Sequence, residues 1–135
     1  MLHNLSMINF NWYSTLIQPP LAPPSWLFLP VWIVLYGLMI VSLIIYITTI
    51  SKKNKVWGYL LFVVQILLNL AWTPAFFGVK NIGLALLIVI LLDIVVIFNI
   101  IEFAKFSKLS AKLLIPYLLW ILFATYLNTG LYILN

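Results

Sequence analysis

Three sets of aromatic and carboxamide-bearing residues recur at the three- and four-residue spacings that align side chains on one helix face. They are Trp32 with Tyr36; Gln65, Asn69, Trp72 and Phe76; and Tyr117, Trp120, Ala124 and Asn128. Indole and phenol rings hold a flat, mostly apolar ligand by stacking, while amide and indole groups orient it through a few hydrogen bonds. Ala124, between Trp120 and Asn128, leaves room either for such a ligand or for close helix contact. The amides also read as structural glue, since a hydrogen bond between membrane helices is worth about 0.6 to 2 kcal/mol. Either way, Gln65 and Asn69 must face the interior of a bundle.

Other chemistries have little to draw on. The chain has no cysteine, one histidine and two acidic residues, so disulfides, thiolate nucleophiles, zinc–thiolate sites and most acid–base catalysis are improbable, and no catalytic residue is assigned. His3 lies among polar residues at the amino terminus and is not taken as a haem ligand. Asp93 is different: it falls near the middle of an apolar run, where a charge costs at least about 2.5 kcal/mol, so it is expected to be protonated or paired inside the bundle. An intramembrane carboxylate is also the starting point for a small proton-coupled exporter of lipophilic cations, the alternative function.

The elements that position these residues follow from composition. Of 135 residues, 66% are hydrophobic and 7% charged, against roughly a quarter charged in ordinary water-facing domains. The protein belongs in a lipid bilayer. Four predominantly apolar runs, at about 28–50, 56–78, 82–103 and 110–133, are each long enough to cross about 30 Å of hydrocarbon as a helix. They are apolar on every side rather than alternating, which excludes β-barrel strands. Separators this short make consecutive spans antiparallel neighbours, so the expected fold is all-α, a single domain over residues 1–135 built as an up-down bundle of four transmembrane helices. Pro74 and Pro116 lie inside predicted spans and are expected to kink them.

Six of the seven lysines fall in the first and third separators, 51–55 and 104–112, and only Lys80 falls in the second. The positive-inside tendency places the two lysine-rich loops in the cytoplasm. With no arginine, the basic excess does not point to nucleic acid. Prolines 19, 20, 23, 24 and 30 keep the chain out of helix until the first span, giving a stiff cap over 12–27 that carries Trp12, Tyr13 and Trp26. Those rings read either as an interfacial aromatic belt or as a lid over a pocket.

The order of motifs resembles one family. Trp12-Tyr13, Leu16, Pro19, Pro23-Pro24, Trp26, Phe28, Val31-Trp32, Leu35-Tyr36 and Leu38-Met39 look like the opening of the tryptophan-rich sensory proteins, relatives of the mitochondrial translocator or peripheral benzodiazepine receptor protein. The similarity continues through Gln65, Asn69, Trp72 and Phe76-Phe77, then through Pro116-Tyr117, Trp120, Phe123-Ala124 and Leu127-Asn128 to Leu134-Asn135. The resemblance implies a compact helical membrane protein, commonly a homodimer, binding porphyrins such as haem and protoporphyrin IX and sterol-like or synthetic aromatic ligands. It needs no cofactor; a tetrapyrrole is the ligand. Trp12, Tyr13, Trp32, Tyr36, Gln65, Asn69, Trp72, Trp120 and Ala124 match its pocket positions, and Asn128 joins them from the helix-face reading. Light-dependent porphyrin breakdown involving tryptophan is ascribed to some bacterial relatives, and a bacterial inner membrane is the expected location. Five spans are the family norm, whereas the eleven residues before Trp12 would reach only about 16 Å as a helix. The family's first span is therefore not found in this sequence: either the chain begins further upstream, or a lipid-open groove or a partner helix takes that place. Gln18 and Leu21 replace the usual lysine and aromatic residue of the cap; Lys80 reads first as an ordinary loop lysine and otherwise, with the amino terminus, as a candidate to meet ligand carboxylates.

Overall fold

The computed structural model describes Ile17, residues 27–78 and residues 81–135. Trp12, Tyr13, Trp26, most of the 12–27 cap, His3 and Lys80 lie outside the described residues. Within them the chain forms α1 (Phe28–Thr48), α2 (Val56–Thr73), a π-helical turn (Pro74–Gly78), α3 (Ile82–Ala104), α4 (Lys108–Leu113) and α5 (Ile115–Leu134). Four helical stretches are long and apolar enough to cross a membrane, the last of them comprising α4 and α5 together, Lys108–Leu134. Helices satisfy their own backbone groups, which hydrocarbon cannot do for them.

The ends of these helices are set by local chemistry. Asn81 caps α3, its side chain accepting from the Leu84 N–H at 2.9 Å, and Ser107 caps α4 by accepting from Ser110 N–H at 3.2 Å. The carboxyl end of α1 is closed from across the loop: the Lys55 ammonium donates to the carbonyls of Tyr46 at 2.9 Å, Ile47 at 3.2 Å and Thr49. Pro30 sits in the first turn of α1, where no donor is needed.

The two internal prolines act more sharply than kinks. At Pro74 the α-helix gives way to the wider π turn, which accommodates the missing N–H. At Pro116 the span breaks at Leu114 into α4 and α5, and the proline occupies the first turn of the new helix.

α2 packs along α3, α3 along α5, and α1 against α4 and α5. Consecutive α1 and α2 are antiparallel, but their backbones stay apart and large side chains bridge them. Two contacts hold α1 in place. In one, Ser42 and Ser110, both fully buried, clasp each other: Ser42 Oγ donates to the Ser110 carbonyl at 2.6 Å and Ser110 Oγ to the Ser42 carbonyl at 2.7 Å. Only small side chains let two helices approach so closely. In the other, Tyr46 stacks on Phe103 with centroids 4.0 Å apart and planes at 11°, while Tyr59 and Phe106 meet its ring edge-on at 5.4 and 5.2 Å.

Gly58 is where this lock is tightest, because a Cβ there would collide with the Tyr46 ring and hydroxyl. The ring cannot yield: it is fully buried, and its hydroxyl donates to the Lys55 carbonyl at 3.1 Å. Gly58→Ala is therefore expected to destabilise the detergent-solubilised protein by about 1–3 kcal/mol. Combined with Tyr46→Leu it should cost less than the two changes summed, as read from thermal melts of all three variants.

Candidate functional site

α1 contributes Trp32 and Tyr36, one turn apart, to the interior of the bundle; α5 contributes Tyr117 and Trp120 opposite them. The Trp32 ring lies 5.8 Å from Tyr36, 6.3 Å from Tyr117 and 6.4 Å from Trp120, tilted or edge-on in each case. Phe28 and Phe123 meet Trp120 at 5.9 and 5.8 Å, also edge-on. The result is a cluster of rings that are in contact yet nowhere stacked face to face on one another.

Behind the rings runs a chain of hydrogen bonds. The Tyr36 hydroxyl donates to Asn69 Oδ1; Asn69 Nδ2 donates to the Tyr117 hydroxyl at 2.9 Å; that hydroxyl donates to Gln65 Oε1 at 2.8 Å. Gln65 Nε2 completes the row on the thioether of Met39 at 3.7 Å. Gln65 and Tyr117 are fully buried and Asn69 nearly so, so the amides do face the interior and are satisfied there by protein groups.

A second group sits further along α2 and α5. Trp72 Nε1 donates to Asn128 Oδ1 at 3.0 Å, Asn128 Nδ2 donates to the Ile82 carbonyl at 3.0 Å, and Trp72 stacks on Phe76 of the π turn at 5.0 Å and 19°. Asn128 thereby joins α2 to the start of α3. Ala124 lies one turn from both Trp120 and Asn128 and is half-buried. The predicted residues thus form two groups rather than one: Trp32, Tyr36, Gln65, Asn69 and Trp120 come together around Tyr117, whereas Trp72 and Asn128 pair apart from them. Trp12 and Tyr13 lie outside the described residues.

Four residues outside the predicted site prove integral to this arrangement. Tyr117 is the junction of the polar chain, Met39 its terminus, Phe28 a wall beside Trp120, and Thr125 the partner of Asp93. Tyr117 shares a helix face with Trp120, a signal present in the spacing. Asp93 accepts from Thr125 Oγ1 at 2.6 Å through one oxygen, and that hydroxyl also lies 2.8 Å from the Ile121 carbonyl. The other Asp93 oxygen and both amide atoms of Asn99 are buried without a hydrogen-bond partner among the described residues.

Comparison with known proteins gives a consistent picture. The TspO/MBR family model matches residues 2–134. A tryptophan-rich protein TspO from Chlorobaculum tepidum is 42% identical over 125 residues, spanning 92% of this chain and 79% of the relative. Another of that name from Archaeoglobus fulgidus is 40% identical over 129 residues, 93% of this chain and 80% of the relative. The translocator protein of Bos taurus is 35% identical over 121 residues, 88% of this chain and 72% of the relative.

Because Tyr117 serves two bonds in the polar chain and Tyr36 one, Tyr117→Phe strands both Gln65 Oε1 and Asn69 Nδ2. The expected cost is about 1–3 kcal/mol for Tyr117→Phe and about half that for Tyr36→Phe. Chemical or thermal unfolding in mild detergent measures both.

Proposed function

The chain belongs to the TspO/MBR family, and from that premise we propose that this integral membrane protein is a receptor or carrier for porphyrins, haem or protoporphyrin IX, and other flat hydrophobic ligands such as sterols. The observation that carries the reading is the ring cluster of Trp32, Tyr36, Tyr117 and Trp120, backed by a polar chain that fixes its orientation.

Burial divides the labour among the residues. Tyr36, Trp72, Trp120 and Ala124 are half-buried, so their surfaces are the ones a ligand reaches. Gln65, Asn69 and Asn128 are buried and already bonded, so they act by holding the rings rather than by touching the ligand first. The indole N–H groups of Trp32 and Trp120 have no hydrogen-bond partner among the described residues and serve as donors for a ligand's polar edge. Entry follows the side of the bundle where α1 and α2 meet only through side chains, and the edge-on rings there part to admit a planar molecule. Stacking then replaces edge contacts with face contacts, burying large apolar area on both partners.

A second reading has its own observation, the unpartnered Asp93 oxygen. Under it the protein exports lipophilic cations in exchange for protons, with Asp93 as the coupling carboxylate. As to setting, the protein works as a homodimer in a bacterial inner membrane with loops 51–55 and 104–112 in the cytoplasm.

Titration of the purified protein with protoporphyrin IX, followed by tryptophan quenching and the Soret band, tests the first reading. Saturable micromolar binding is expected, weakened at least about tenfold in Trp32→Phe/Trp120→Phe and unchanged in Asp93→Asn. Quenching that never saturates and is equal in both proteins sinks it, and proton-dependent cation efflux lost in Asp93→Asn would establish the second. Sidedness is checked separately: the chain has no cysteine, so Ser51→Cys or Ser107→Cys supplies a unique thiol. In intact cells both are expected to resist a membrane-impermeant maleimide and to react after permeabilisation.

A further inference from the structure

We propose that the lysine-bearing end of the bundle is a binding site for the headgroup of an anionic phospholipid. The argument begins with a charge count. The sequence has seven lysines and two acidic residues. Asp93 lies deep within α3 beside Thr125, and Glu102 is taken by Lys105 at 3.0 Å. No carboxylate remains for Lys52, Lys53, Lys108 and Lys112, all exposed and without an ion-pair partner among the described residues. Lys55 is set apart, its ammonium engaged by the carbonyls that end α1.

The four unpaired lysines stand on two segments, the 51–55 loop and α4, that the fold ties together. Tyr46 ties the two loops together, donating to the Lys55 carbonyl at 3.1 Å and meeting the Phe106 ring at 5.2 Å. The reciprocal Ser42–Ser110 bonds fix α4 against α1, and Lys108 and Lys112 stand one turn apart on that helix. Ammonium groups on two joined segments at the same end of the bundle present a positive field for phosphate oxygens, which accept charge-assisted hydrogen bonds from lysine as a point charge.

A lipid fits this surface better than a soluble anion. The lysines stand where apolar spans end, the depth at which headgroups lie. Apolar surface adjoins them: Trp57, 64% exposed in the first turn of α2, and Leu109, 57% exposed beside Lys108. A headgroup on the lysines therefore has tryptophan and leucine against which its acyl chains continue.

The test uses full-length protein in neutral detergent, titrated with phosphatidylglycerol, phosphatidylcholine or soluble glycerol 3-phosphate, with bound lipid counted by native mass spectrometry and melting followed in parallel. Phosphatidylglycerol is expected to be retained and to raise the melting temperature, with phosphatidylcholine and glycerol phosphate inert. Lys52→Gln/Lys53→Gln and Lys108→Gln/Lys112→Gln should each weaken its retention by about tenfold or more, two lysines being lost in each. Both are expected to melt like the parent when no lipid is added. Lys105→Gln, which removes a charge already paired, should change retention little. Three outcomes overturn the proposal: equal retention of the zwitterionic lipid, glycerol phosphate competing as well as the lipid, or Lys105→Gln weakening retention as much per lysine as the double variants.

Discussion

Hydrocarbon offers no hydrogen-bond partner, and most of this structure is organised by that single constraint. A carboxamide in the middle of a span must find its partner on another helix, which is why Gln65 and Asn69, both on α2, converge on one tyrosine of α5. The same demand explains the ends of the helices. The last carbonyls of α1 are closed by the Lys55 ammonium, and the serines of α1 and α4 spend their hydroxyls on each other's backbone. Each of these bonds crosses between elements, so satisfying polar groups and fixing helix positions are one event.

Aromatic residues meet the constraint in two contrasting ways. At the end carrying the lysines, Tyr46 and Phe103 stack at 4.0 Å, and Phe62 lies nearly parallel to Phe103 at 6.1 Å. That end is closed, with Gly58 shaped to the Tyr46 ring. Toward the other end, Trp32 meets Tyr36, Tyr117 and Trp120 tilted or edge-on at about 6 Å, with no face-to-face stacking among these four. One end of the molecule is thus closed by stacked rings and the other holds rings set at an angle to one another, although both draw on the same residue types.

Much of this was legible before any coordinates. Four spans followed from apolar runs bounded by lysines, and the one-turn spacing of Gln65 and Asn69 identified an inward face. What escaped reading lies in contacts that spacing does not encode. Ser42 and Ser110 are 68 positions apart, and a serine in a span carries no sign of its partner. Tyr117 sat on a recognised face, but its role as junction depends on α2 and α5 running parallel at the right height. Lys55 looked like one more topological charge until the chain folded its ammonium back onto α1. The prolines at 74 and 116 were seen as bends, whereas the π turn and the break at Leu114 depend on how neighbouring turns absorb a missing donor. Asn99 carried the same signal as Gln65 and Asn69, a carboxamide within a span, but its buried amide has no hydrogen-bond partner among the described residues.

The polar chain through Tyr117 also has a direction. Every bond in it points the same way, from Tyr36 through Asn69, Tyr117 and Gln65 to the sulfur of Met39. Bonds aligned head to tail polarise one another, and the row ends on the weakest acceptor in the set. Its beginning is therefore electron-rich: Tyr36 has given its only hydrogen to Asn69, and the half-buried oxygen has lone pairs left to offer. If the cluster receives a ligand as proposed, the Tyr36 oxygen would accept a hydrogen from it while the indoles of Trp32 and Trp120 donate theirs. On that proposal a matching molecule carries both polarities on its rim, and one with acceptors alone leaves the Tyr36 oxygen unanswered.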